Sequence, residues 1–154
     1  MSTNQAGERP LSNSKIAQIE SSFAQQGLLQ NFKARIQALS SGRCTIELPY
    51  SQGVTQQQGF FHGGVIGALG DSAGGYAAMT LTPDGAEVLT MEYKINFLRP
   101  AVGDRLVAEG EVLRAGRSVS VTRVDVYAER DGKRVLCAAL QQSIVPVQAE
   151  TSPS

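Results

Sequence analysis

A His-Gly-Gly tripeptide and an aspartate nine positions after its histidine are the residues of this chain best placed to do chemistry. His62-Gly63-Gly64 is followed by VIGALGDSAGGYAAM, with Asp71 near the middle. Where a helix begins, its first backbone N–H groups have no internal acceptor, and that partly positive end suits a carbonyl oxygen or an anion. Glycine there lets a ligand approach the backbone. Taken alone, the tripeptide reads first as a tight turn. Asp71 shifts the balance, because its neighbours three and four positions away on the same helical face are Gly67, Ala68, Gly74 and Gly75. A carboxylate among small apolar residues is costly to bury without a partner, so it asks for a function. Periodicity alone is equally compatible with an exposed aspartate on a helix surface.

HGG together with GDSAGG also resembles the oxyanion and nucleophile motifs of hormone-sensitive-lipase-like α/β-hydrolases, and the spacing rejects that reading. Those motifs belong to separate strand–loop–helix units, whereas here only the residues 65–69 lie between them. The triad also needs a histidine after the nucleophile; His62 is the only histidine and it precedes Ser72. Ser72 is read as a packing residue.

The elements that must position these groups follow from periodicity. Residues 1–14 and 148–154 read as flexible tails around one domain, 15–147. Ile16, Ile19 and Phe23 form an apolar stripe on a first helix that ends before Gly27. Phe32 to Leu48 is a strand pair or one broken strand around Ser40-Ser41-Gly42. The stretch from His62 to Met79 is the long helix, rich enough in glycine to be poor alone and therefore expected to be enclosed by a sheet. Met91, Tyr93, Ile95 and Phe97 alternate with Thr90, Glu92, Lys94 and Asn96 in one strand that ends at Arg99-Pro100. Three antiparallel strands follow, over 106–113, 119–128 and 135–147, with turns at Ala115-Gly116 and Asp131-Gly132. The apolar phase changes between Val121 and Val124, which predicts a bulge or a change of covered face. The whole is an α+β arrangement, one long helix against one curled antiparallel sheet.

Composition sets the limits. The 154 residues, 42% apolar, suffice for one core, and 14 basic against 14 acidic side chains give no field that would draw the chain to nucleic acid. No signal peptide or membrane span is evident, so a cytoplasmic protein with no membrane partner is expected. Cys44 and Cys137 form no metal-type pair and read as buried thiols, and no metal site or cofactor is expected.

GFFHGGVIGALGDSAGGYAA, followed by VLTMEYKINFLRPAVGDRLVAEGEVLRAGRSVSVTRVDVY, resembles the phenylacetic-acid-degradation (PaaI-like) type of hotdog-fold acyl-CoA thioesterase over residues from about 30 to 147. The resemblance implies a hotdog fold, an acyl-CoA substrate hydrolysed to free acid and CoA, and a homodimer, or a dimer of dimers, whose active site lies across a subunit interface. It implies Asp71 as nucleophile or general base and Gly64 as the backbone N–H that polarises the thioester carbonyl. It gives His62 to the loop or the leaving thiolate, Gln56 to the thioester region with Gln57 and Gln58 blurring the register, and Thr90 to the attacking water. Thr90 reads equally well as an ordinary β-branched strand residue.

Gly63, Phe61 and the exposed Arg114-Ala115-Gly116-Arg117 turn, with Arg99, are the candidate substrate contacts, arginine being suited to the CoA phosphates. Phe60, Phe61, Tyr76 and Met79 are candidates for lining an aromatic or short- to medium-chain acyl pocket. The alternatives are a hotdog hydratase or dehydratase acting on an acyl thioester, and a non-catalytic acyl-CoA-binding sensor.

Overall fold

The computed structural model describes residues 9–148. Residues 1–8 and 149–154, which hold most of the two predicted tails, lie outside the described residues. The described residues include the end of the first predicted tail, where helix α1 begins. The Ser12 hydroxyl accepts from the Lys15 N–H at 3.1 Å and caps α1, Asn13–Ala24, and the Arg9 carbonyl accepts from the Ser41 N–H. The helix buries Ile19 and Phe23 as its stripe requires. Gly27 does not merely end it: a second short helix, α2, runs Gly27–Asn31.

The strands are β1 (Arg35–Ser40), β2 (Arg43–Pro49), β3 (Ala86–Phe97), β4 (Arg105–Ala115), β5 (Ser120–Arg130) and β6 (Lys133–Gln148), with the long helix α3 (Gly63–Met79) between β2 and β3. Phe32 to Leu48 is thus a hairpin, turned at Gly42 with φ +78°. All six strands form one antiparallel sheet in the order β1-β2-β4-β5-β6-β3. The sheet curls around α3, which touches β2, β3, β4, β5 and β6, so the hotdog arrangement implied by the resemblance is the one this chain adopts. Leu69, Ala73 and Ala77 of the helix meet Ile46, Leu106, Ala108, Val124, Val126 and Leu140 of the sheet in the core.

The helical glycines serve this enclosure. A Cβ on Gly70 would lie within 3 Å of the Leu140 side chain, and one on Gly110 of β4 would lie 2.5 Å from the Ala73 carbonyl oxygen. Helix and sheet meet at backbone distance, which offsets the intrinsic cost of glycine in a helix through packing. Burial pushes the Cys44 thiol up to about 12 and the Cys137 thiol up to about 11, so both are protonated and inert at neutral pH. No helix among the described residues is long and apolar enough to cross a membrane.

Two strands depart from simple alternation. In β3 the register against β6 slips between Thr90 and Glu92, leaving Met91 as an extra residue. Val88 and Thr90 therefore face the helix before the bulge, and Tyr93, Ile95 and Phe97 face it after. The predicted single alternation, with Thr90 opposite to Tyr93, is corrected by this bulge. In β5 the phase change is not a bulge of that strand: Thr122, Val124, Val126 and Ala128 are all buried on one face. The extra residues belong to its neighbours, Leu113 in β4 and Cys137 in β6. The inward face of β5 turns polar at Thr122, and that is what broke the apolar pattern.

Candidate active site

Asp71 lies just over two turns into α3, half-buried, where the helix passes the bulged part of β3. Its Oδ1 accepts from the Thr90 hydroxyl at 2.7 Å and from the Gln142 amide at 2.8 Å. The same Gln142 nitrogen donates to the Asp71 backbone carbonyl at 3.1 Å, and the Gln142 oxygen accepts from the Thr122 hydroxyl at 3.0 Å. Among the described residues no donor reaches Oδ2. The carboxylate is therefore held by one oxygen and leaves the lone pairs of the other available, the condition for attack on a carbonyl or for taking a proton from water.

A pocket of about 330 Å³ opens beside it, lined among others by Ser22, Gln26, Asp71, Tyr76, Met79 and Thr90. The Tyr76 hydroxyl is within 3.1 Å of the Ser22 hydroxyl and accepts from the Gln26 amide at 2.8 Å. Burial raises the Tyr76 phenol above its ordinary range, which keeps it neutral. Ser72 donates to the Ala68 carbonyl at 2.9 Å, a bond back to its own helix that gives it no nucleophilic role.

The helix N-terminus forms a second locus. His62 is the N-cap of α3, and its Nδ1 accepts from the Gly64 N–H at 2.8 Å. The Gly64 donor, expected to polarise the carbonyl, is thus engaged by the histidine two residues earlier. Val65 and Ile66 donate to the His62 carbonyl, whereas the Gly63 N–H meets no acceptor among the described residues. Gly63 lines a pocket of about 420 Å³ with Gln56, Phe61, Phe97 and Arg99. The Gln56 amide is turned into its own loop, donating to Gln58 Oε1 at 2.9 Å while its oxygen accepts from the Gln58 N–H.

The other predicted contacts are distributed unevenly. Phe61 is only 3% exposed and stacks edge-on with Tyr50, so its ring is core more than contact. Gly116 closes the β4–β5 turn, donating to the Val119 carbonyl at 3.0 Å, and a side chain there would collide with that carbonyl. Arg117 lines a different pocket near the end of α3, and Arg114 is exposed on β4; neither approaches Arg99 at the helix N-terminus. Of the acyl-pocket candidates, Tyr76 and Met79 line the Asp71 pocket, and Phe60 and Phe61 line the other.

Sequence reasoning missed Gln142 and Thr122. The signal was present: Leu140, Gln142 and Ile144 share one face of β6, so a glutamine sits at a core position of the alternation, and Thr122 does the same in β5.

The two loci do not meet within one chain. Gly63 and Asp71 are eight residues apart, about 12 Å along a helix axis, and the pockets they line share no residue. A thioester carbonyl must lie about 3 Å from both nucleophile and oxyanion donor.

The thioesterase superfamily model matches residues 58–135. A protein of Saccharolobus solfataricus named as an esterase is 40% identical over 95 residues, 62% of this chain and 66% of its own. The medium/long-chain acyl-CoA thioesterase YigI of Escherichia coli (strain K12) is 32% identical over 85 residues, 47% of this chain and 55% of its own. The match thus spans just under two thirds of the first protein and just over half of the second. A solved structure, a thioesterase family protein from Silicibacter pomeroyi, is 38% identical, covers 88% of this chain and 99% of its own, and superposes with a TM-score of 0.85.

Proposed function

This chain belongs to the thioesterase superfamily, and we propose that it hydrolyses an acyl-CoA in a site assembled from two copies, with Asp71 of one copy facing Gly63 of the other. The observation behind this reading is the Asp71 carboxylate, half-buried beside a pocket and held on Oδ1 alone. Oδ2 either adds to the thioester carbonyl or takes a proton from the water that does. The tetrahedral oxyanion is stabilised by the Gly63 N–H, the C–S bond breaks and CoA leaves as its thiolate. Where Oδ2 itself adds, water then hydrolyses the acyl–Asp71 anhydride, which releases the free acid, restores the carboxylate and supplies the thiolate's proton; where Asp71 takes the proton from water, it passes that proton to the thiolate. His62 keeps the loop in shape through its bond to Gly64.

The second copy is argued from β3. Among the described residues it pairs only with β6, which leaves its other edge without a strand partner, and its exposed apolar side chains include Leu89 at 60% and Met91 at 66%. A long apolar edge of this kind is a template for another strand. Thr90 stands beside Asp71, Tyr93 beside Gly67 and Phe97 beside Gly63, so β3 runs antiparallel to α3. Two β3 strands paired antiparallel about Tyr93 bring Glu92 of one opposite Lys94 of the other, a favourable charge pair. The same pairing sets Thr90 and Asp71 of each copy near the Phe97 and Gly63 end of the other. Twofold symmetry then yields two equivalent sites.

The pocket beside Asp71 is at the small end of ligand sites and is lined on one side by the Tyr76–Ser22–Gln26 cluster, which favours aromatic and short- to medium-chain acyl groups. Arg99 lines the pocket beside Gly63, which supports it as the arginine that meets CoA phosphate. Release of free thiol from a panel of aromatic, short-, medium- and long-chain acyl-CoAs tests the reading. We expect kcat/KM for the preferred aromatic or medium-chain thioester to exceed that for a long-chain one by at least about tenfold. Binding of several acyl-CoAs without thiol release would replace the hydrolase with a sensor.

A further inference from the structure

Gln142 is a polar side chain where the fold asks for an apolar one. It shares the inward face of β6 with Leu140 and Ile144, it is 1% exposed, and Thr122 beside it on β5 is fully buried. Burying an amide and a hydroxyl is unfavourable unless every polar atom finds a partner, and a leucine or methionine would fill the space without that requirement. The partners are specific. Both contacts of the Gln142 nitrogen go to one residue, Asp71, at its Oδ1 and its backbone carbonyl.

The Thr122 hydroxyl, as donor to the Gln142 oxygen, fixes which end of the amide points toward Asp71. Gly74, one helical turn beyond Asp71, has no side chain because the amide occupies that space: a Cβ there would overlap Gln142 Oε1 and come within 2.8 Å of the Thr122 hydroxyl. Three elements, α3, β5 and β6, thus converge on one rotation, that of the Asp71 carboxylate.

We propose that Gln142, oriented by Thr122 and seated over Gly74, is a positioning residue that holds the Asp71 carboxylate in the rotamer presenting Oδ2 to the pocket. The proposal rests on the reading of Asp71 as the reacting carboxylate. Thr90 alone, with a single bond to Oδ1, leaves the carboxylate free to pivot about that contact. Gln142 adds a second bond to the same oxygen and ties the side chain to its own backbone. Misplacing a reacting group by about 1 Å is enough to cost about a hundredfold in rate, so the clamp acts on kcat and not on substrate affinity.

The test compares Gln142→Met, Thr122→Val, Thr122→Ser and Asp71→Asn in full-length protein, with an acyl-CoA that the parent hydrolyses. Gln142→Met is expected to lower kcat by about ten- to a hundredfold with KM within about threefold of the parent. Thr122→Val should lower kcat in the same direction by a smaller factor, and Thr122→Ser, which keeps the donor, should recover the parent rate. A merely structural role would lower the melting temperature and the yield but leave kcat per folded site intact. Thr122→Val, nearly isosteric, separates the two roles even where Gln142→Met folds poorly.

Parent-like kcat in Gln142→Met and Thr122→Val, with Asp71→Asn inactive, overturns the proposal alone. Parent-like kcat in Asp71→Asn as well removes the underlying reading with it. A crystal structure of Gln142→Met gives a readout independent of turnover: the Asp71 carboxylate should rotate or split between rotamers, and one carboxylate unchanged from the parent contradicts the proposal.

Discussion

Asp71→Asn should slow acyl-CoA hydrolysis by at least about a hundredfold while leaving the fold intact. The substitution is close to isosteric. The asparagine oxygen still accepts from Thr90 and Gln142 in place of Oδ1, so the contacts between α3, β3 and β6 persist. What changes is the other atom: an NH₂ group replaces Oδ2, and a donor faces the pocket where lone pairs stood. Neither addition to a carbonyl nor proton abstraction from water is open to it. A melting curve beside the thiol-release assay separates lost chemistry from lost folding. The enzyme's own Cys44 and Cys137 thiols, buried and held well above their usual range, do not compete with CoA in such an assay.

Gly63→Pro should lower kcat by about a hundred- to a thousandfold, the usual consequence of deleting one oxyanion donor. Proline is tolerated at the first position of a helix, where its missing N–H has no helical acceptor. His62, at φ −65° and ψ 137°, already has the extended conformation that a residue before proline adopts. A Cβ at Gly63 would sit 3.1 Å from Phe97 Cζ, so the Phe97 ring must yield by a few tenths of an ångström. The variant thus removes little besides the Gly63 N–H, which no acceptor holds among the described residues. Full activity in Gly63→Pro would return the oxyanion role to Gly64, with His62 swinging away from its N–H during turnover.

The parts of the fold legible in the sequence were those set by a single period. The glycine-rich helix, the four strands after it and the burial of Cys44 and Cys137 follow from spacing and composition. The parts that were not legible depend on pairs of strands. Nothing local to Met91 marks it as the extra residue of a bulge, because the slip is defined only against β6, and the bulge is what places Thr90 on the helix side.

Thr122 and Gln142 are 20 residues apart in the chain and meet only across the β5–β6 ladder. Each interrupts an apolar alternation, and that is their trace in the sequence; the phase change between Val121 and Val124 marked the site without identifying it. The proposed choice of Gly63 over Gly64 rests on a side chain, His62, whose Nδ1 engages the Gly64 N–H, a contact that spacing alone does not reveal.

The shared site can be tested with a hybrid dimer. Asp71→Asn and Gly63→Pro chains with different affinity tags, co-expressed and purified through both tags, form dimers in which one site holds both substitutions and the other neither. Two copies that complete each other's site should give the hybrid about half of the parent's kcat per dimer, although each homodimer is inactive. A hybrid as inactive as the two homodimers would mean that each chain holds its own complete site, and would contradict the assembly of Asp71 with the Gly63 of a second copy.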